Sequence, residues 1–185
     1  MASLVLNGNT SGSVTISSPA VSGTTTLTLP TTTGTVLTNG TNTNFPTGSI
    51  LQVVQGLYTT QVLSTSSTYA DTGLTATITP SSTSNKILVL ITADGVYASG
   101  STNVIAAFRI VKNGSSLYEF GNGGNATATS LTIVTGSCSV NYLDSPASIS
   151  ALTYKLQIQN KYAVGTVGVS TYNGAQSITL IEVKG

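Results

Sequence analysis

The sequence predicts an all-β protein: a small N-terminal β-segment followed by an antiparallel jelly-roll sandwich. Three observations lead there. Apolar and polar residues alternate at period two in run after run. Gly, Pro and Asn punctuate those runs at short intervals. No run has the period and length of an ordinary helix, and Ala106-Ala107 sits among β-branched and aromatic residues and reads as strand.

The runs of the first 48 residues are short. Leu4–Leu6 ends at Asn7-Gly8, Ser13–Ser17 ends before Pro19, Thr24–Leu29 ends at Pro30, and Gly34–Thr38 ends at Asn39-Gly40. Residues 39–48 (NGTNTNFPTG) read as a linker. The predicted division is therefore a base or attachment segment, 1–48, and a sandwich domain, 49–185. The base holds 14 apolar residues, two of them Ala, and no charged side chain. A segment so small and so poor in apolar residues does not offset its own ordering entropy. Two readings stand: a tail without structure, or a segment that takes its core from neighbouring chains. Alternation at Val14/Ile16 and Leu27/Leu29 favours the second, since a disordered Ser/Thr tract has no reason to keep an apolar face. With Val36 and Leu37, these residues form the expected assembly interface.

In the second segment the candidate strands are Ile50–Gln55, Tyr58–Leu63, Leu74–Thr79, Lys86–Ala93, Val104–Val111, Ser116–Phe120, Leu131–Ser137, Ser139–Leu143, Ala151–Gln159, Thr166–Ser170 and Gln176–Val183. Many short strands at this spacing make a sandwich or jelly roll. The sharpest local signal is Asn113-Gly114 between two apolar runs. A two-residue type I′ hairpin turn needs positive φ at both central positions, which Asn and Gly supply.

Composition excludes whole classes of chemistry. Charged residues are 6% of the 185, with a net charge of +1, against roughly 25% in ordinary soluble proteins. Ser and Thr number 58, and there is no His, no Trp and one Cys, Cys138. Without His there is no Ser-His-Asp triad and no imidazole-ligated metal. Five acids do not readily build a magnesium or calcium cage, six bases do not line a nucleic-acid groove, and one Cys makes no intrachain disulfide. We expect no enzyme, no cofactor, no metal and no nucleic-acid partner.

Residue by residue, the chemistry reads as structural. Asp71, Asp94 and Asp144 each precede Gly, Ser or Pro-containing turns and read as turn residues bonding their own backbone. Glu182, near Lys184, reads as part of a solvated strand face. Glu119 and Arg109 lie on two arms of one hairpin, and whether they face each other depends on register. Cys138 lies within a strand pattern and reads as a small buried hydrophobe. Gly121–Asn125 precedes no helix and no Lys, so it is a loop rather than a phosphate cradle. Tyr97, Tyr162 and Tyr172 flank Gly- and Asn-containing turns. They suit either packing at the rim of the sandwich or stacking on a sugar or partner.

Met1–Gly8 has neither a basic region nor a sustained apolar run, so no secretory signal is expected. Nor does any stretch approach the ~20 apolar residues of a membrane span. The mean hydropathy of +0.28 comes from scattered strand residues. A chain kept in a cytoplasm, with an uncharged polar surface, suits a protein that lives in an assembly, because free cytosolic proteins rely on charge for solubility. A virus particle assembled in a host cytoplasm has that combination.

Two stretches carry a family resemblance. Residues 19–38, PAVSGTTTLTLPTTTGTVLT, resemble a segment recurrent in structural proteins of tailed bacteriophages. Residues 71–91, DTGLTATITPSSTSNKILVLI, with 143–157, LDSPASISALTYKLQ, and the ending 177–183, SITLIEV, resemble a phage virion domain of the tail-fibre-like kind. The resemblance implies a homotrimeric jelly roll similar in shape to tumour-necrosis-factor-like trimers, found as capsid decoration (cement) proteins and at the tips of tail fibres. It carries no functional residues, since the matching stretches are strands and turns. The first 48 residues break at Pro19, Pro30 and Pro46 and show no heptads and no long repeat that would make a shaft. Decoration is therefore expected over a fibre. The expected partners are other copies of the chain and the major capsid protein or other virion proteins; the fibre-tip alternative adds a host surface carbohydrate.

Overall fold

The structure is a computed structural model that describes residues 3–7, 10–17, 23–24, 26, 31, 45–101, 103–121, 126–128 and 132–185. The chain divides into two compact units, Met1–Val36 and Leu37–Gly185.

In the first unit, β1 (Ser3–Asn7) pairs antiparallel with β2 (Ser13–Ser17). Leu4 stands opposite Ile16 and Leu6 opposite Val14, so these four register positions share one face of the ribbon. Leu6 and Ile16 are nevertheless about half exposed. Two strands by themselves are at best marginal in water, and Val5 on the other face is exposed as well. Leu27, Leu29, Val36 and Leu37 lie outside the described residues.

The second unit is an all-β sandwich. Its strands are β3 (Ile50–Tyr58), β4 (Val62–Ser64), β5 (Ala70–Ile78), β6 (Lys86–Ser99), β7 (Ala106–Lys112), β8 (Ser115–Phe120), β9 (Ile133–Asp144), β10 (Leu152–Asn160), β11 (Thr166–Val169) and β12 (Gln176–Val183). One sheet has the order β5-β10-β7-β8; the other runs β3-β12-β6-β9, extended by β11 and β4. Every pairing between these strands is antiparallel. Pairs β7·β8, β6·β9, β5·β10 and β3·β12 nest one outside the next, so the chain is one long hairpin folded over on itself, the jelly-roll connectivity. The tip of that hairpin is Asn113-Gly114, with φ of 48° and 86°, as the turn chemistry requires.

Strand β6 organises the larger sheet. It pairs with β9 along one side for nearly its whole length. On its other side it pairs with β12 up to Ala93 and with β11 from Tyr97. The switch falls at a bulge at Asp94-Gly95, where Gly95 has φ +60°. A Cβ at Gly95 would overlap the backbone of Thr171, so this position requires glycine on both counts.

The core lies between the sheets. Leu74, Ile78, Phe108, Ile110, Tyr154, Leu156 and Ile158 of one sheet face Ile87, Val89, Ile91, Val167, Val169, Ile178 and Leu180 of the other, all buried. Each such side chain contributes about 1.5–3 kcal/mol of transfer free energy. At the side where β8 and β9 meet, the rings of Tyr118 and Tyr142 lie 5.4 Å apart.

Several local expectations change. The run Tyr58–Leu63 contains the end of β3, a turn and the start of β4 rather than one strand. The runs at 131–137 and 139–143 merge into the single strand β9 through Cys138. Cys138 itself is half-buried against the core, and burial pushes its thiol pKa up. Asp71 is not a turn residue: it lies within β5, and Asp94 lies within β6 at the bulge.

Candidate functional site

Three carboxylates are anchored by partners far away in sequence. Asp144 closes β9 with its side chain turned inward, contrary to the turn reading. Its Oδ2 receives the Tyr154 hydroxyl at 2.7 Å and Lys112 Nζ at 2.7 Å. Burial, reinforced by the Asp144 carboxylate, holds Tyr154 firmly protonated, far above the usual phenol range.

Glu182 is 1% exposed, which overturns its assignment to a solvated face. Its carboxylate accepts hydrogen bonds from Asn85 Nδ2 at 2.6 Å, Gln52 Nε2 at 2.5 Å, and Ser81 N and Oγ at 2.6 and 2.8 Å. Burial pushes the carboxyl pKa up, but these bonds together outweigh it and hold it below the ordinary range. The carboxylate thus pins the β5–β6 turn to the last strand, joining residues 71–91 to residues 177–183.

Each sheet carries one distinctive row on its outer face. Across β5-β10-β7-β8, register aligns Asp71, Gln157, Arg109 and Glu119 in one row, which places Arg109 opposite Glu119. Gln157 Nε2 donates to Asp71 Oδ1 at 2.6 Å, and Gln157 Oε1 accepts from Arg109 Nε at 2.7 Å. Lys155 Nζ reaches Asp71 at 2.8 Å. The Lys155 and Gln157 hydrogen bonds hold the Asp71 carboxyl below its usual range. The Arg109 guanidinium lies 4.2 Å from the centre of the Tyr69 ring. Across β3-β12-β6-β9, register aligns Val53, Ile181, Leu88 and Leu143. Val53 is 56% exposed and Leu143 51%, with Ile181 and Leu88 half-buried between them. Ile50, exposed at the end of β3, borders this row.

Sequence reasoning missed this apolar row. The available signal was the unbroken run Ile87–Ile91, with Leu180-Ile181. A strand apolar on both faces reads as a continuous run, whereas a half-solvated strand alternates.

The tyrosines separate into two places. Tyr97 on β6 and Tyr172 in the β11–β12 loop come together edge to face, with ring centres 6.3 Å apart. Tyr162 lies in the β10–β11 turn, at the opposite end of β11, with Lys161 Nζ 5.8 Å from its ring centre. Tyr172 is 72% exposed. It is held at φ +51°, between Ser170 at +55° and Asn173 at +64°. Left-handed backbone at non-glycine residues costs on the order of 1–3 kcal/mol each and persists only where surroundings impose it. Here the β6 bulge imposes it. Asp94 O and Gly95 O accept from the Ser170 and Thr171 amides at 3.0 and 3.1 Å, and Thr171 Oγ1 adds a 2.8 Å bond to Gly95 O. Ser170 and Thr171 are buried beneath, and buried Gln176 donates to Ser170 Oγ at 3.0 Å. Clefts of about 350 and 320 Å³ flank Tyr172. The first runs past Asp94, Thr135, Ser137 and Asn173, the second past Gln61 and Tyr97.

Among the described residues no group of three metal-ligating side chains forms, and no helix is long and apolar enough to cross a membrane. No protein-family model and no curated protein matches this chain.

Proposed function

We propose that this chain is a structural subunit of a bacteriophage virion, a capsid decoration protein that acts as a homotrimer. The observation that carries the reading is the apolar row Val53, Ile181, Leu88 and Leu143 on the outside of the larger sheet. A polar ladder crosses the outside of one sheet, and an aligned apolar row, exposed at Val53 and Leu143, crosses the outside of the other. Apolar surface exposed to water favours association at about 25 cal/mol per Å² buried. In a closed cyclic trimer each copy offers that row to its neighbour, and no copy is left with it open. Trimeric rather than dimeric closure, and the virion setting, rest on the resemblance of residues 19–38, 71–91, 143–157 and 177–183 to phage structural proteins. The near absence of charge adds to it, because a fixed lattice replaces charge repulsion as the means of keeping copies apart. The N-terminal ribbon, with exposed Val5, Leu6 and Ile16, is suited to seating on a neighbouring subunit by apolar burial.

Mass measurement in dilute buffer tests the trimer: three copies of the 18.7 kDa chain are expected. The double variant Val53→Lys, Leu143→Lys should give folded monomers by circular dichroism. A monomeric parent protein would remove the trimer. Labelled protein in electron micrographs of particles should lie over the capsid, and label confined to the tail tip would overturn decoration in favour of a fibre.

A further inference from the structure

We propose that the Tyr172 loop is a binding site for a neutral pyranose sugar, with the ring of Tyr172 as the stacking platform and Asp94 and Asn173 as the hydroxyl-binding groups. This goes beyond a structural role and holds wherever the protein sits on a particle.

The site is built rather than incidental. Tyr172 is 72% exposed, the highest value among the described large hydrophobic side chains, yet it stands on constrained backbone, with positive φ at Ser170, Tyr172 and Asn173. Its base is closed from both sides. A Cβ at Gly95 or at Gly174 would overlap backbone of the opposing segment. Gly174 N donates to Thr171 O at 2.9 Å, and Asp94 N donates to Ala175 O at 3.0 Å. A loop so fixed loses little entropy on binding. Tyr97 meets Tyr172 edge to face, and Tyr172 stays 72% exposed.

The chemistry around the ring selects the ligand. An aromatic face accepts the C–H side of a pyranose, and the flanking cleft supplies one carboxylate, one amide and the hydroxyls of Thr135 and Ser137. Carboxylate and amide oxygens accept from sugar hydroxyls, and hydroxyls both donate and accept. No Lys or Arg lines either cleft among the described residues. Asp94 sets a negative charge there, which disfavours phosphate, sulfate and sialic acid. An apolar ligand finds too many polar groups to desolvate. A neutral sugar satisfies all of them.

Binding to one site is expected in the millimolar range and is strengthened on a polysaccharide if three sites act together. The test is an amide ¹H–¹⁵N titration of the full chain with glucose, galactose, mannose and N-acetylglucosamine, each to about 50 mM, and with N-acetylneuraminic acid. At least one neutral sugar should shift the Gly95, Tyr172, Asn173 and Gly174 signals, while N-acetylneuraminic acid should not. Tyr172→Gly keeps the left-handed backbone and removes the ring; it should weaken binding by roughly tenfold or more. Asp94→Asn should weaken it less, and Tyr162→Ala should leave it unchanged. The proposal is overturned if no neutral sugar shifts these signals, if N-acetylneuraminic acid shifts them as strongly, or if binding survives in Tyr172→Gly.

Discussion

The hydroxyl of Tyr154 and the carboxylate of Asp144 meet at 2.7 Å in the interior of the sandwich, joining β10 of one sheet to β9 of the other. Lys112, opposite Tyr154 in the β7·β10 register, binds the same oxygen. One phenol, one ammonium and one carboxylate therefore tie three strands at that end of the molecule. Removing the cation should cost more than removing the phenol hydroxyl. Lys112→Met leaves a buried carboxylate uncompensated, at about 3–5 kcal/mol. Tyr154→Phe loses one hydrogen bond to a charged group, at about 1.5–3 kcal/mol. Urea unfolding of the two variants checks the order.

Glu182 should make the sandwich acid-sensitive. Its folded pKa lies below its ordinary value of 4.5, so between the two the unfolded chain binds the extra proton. The stability it provides is fully present above the ordinary carboxyl range and is lost as pH falls through the lowered folded value. Glu182→Gln should be less stable at neutral pH by about 2–3 kcal/mol, and the gap to the parent should narrow as the medium is acidified. Thermal melts across that window measure the gap. A constant difference would mean that the charge of Glu182 contributes nothing.

Two glycines separate steric from conformational cost. Gly114 has φ +86° and open space where a Cβ would stand, so Gly114→Ala should cost only the left-handed penalty, about 1–2 kcal/mol. Gly56, in β3, has no such φ, but a Cβ there would overlap the Thr75 carbonyl of β5. Gly56→Ala must separate two strands of opposite sheets and should cost about 3 kcal/mol or more. Equal losses in chemical denaturation would contradict this packing.

Truncation should fail at β3 and not before it. Gly48 N donates to Lys184 O at 2.8 Å, and Lys184 N donates to Ser49 O at 2.9 Å, so the segment just before β3 already lies along the end of β12. A fragment starting at Phe45 should give the β-sheet circular dichroism and cooperative melt of a folded sandwich. One starting at Leu57 loses most of β3 and should be molten. A molten Phe45 fragment would show that the sandwich needs residues before it.

The all-β class, most strands and the hairpin tip were legible because their signals are local. Period-two alternation at Ser177–Val183 and a positive-φ pair at Asn113-Gly114 depend on residues adjacent in the chain. What Asp71, Asp144 and Glu182 do was not legible from their neighbours. Gly, Ser and Pro beside the two aspartates suggested turns, and Lys184 suggested a solvated Glu182. Their partners are Lys155, Lys112 and Asn85, at separations of 84, 32 and 97 residues. The same holds for the apolar row of Val53, Ile181, Leu88 and Leu143, drawn from four strands, and for the meeting of Tyr97 with Tyr172. Alternation assigns side chains to two faces of a strand but does not say which strand lies beside it or which residue stands opposite. By itself the sequence determined that these residues form strands and where the chain turns. Pairing and register, which only the tertiary structure decided, turned isolated side chains into a carboxylate clamp, an apolar row and a tyrosine pair, because each needs groups that meet only when distant strands pair.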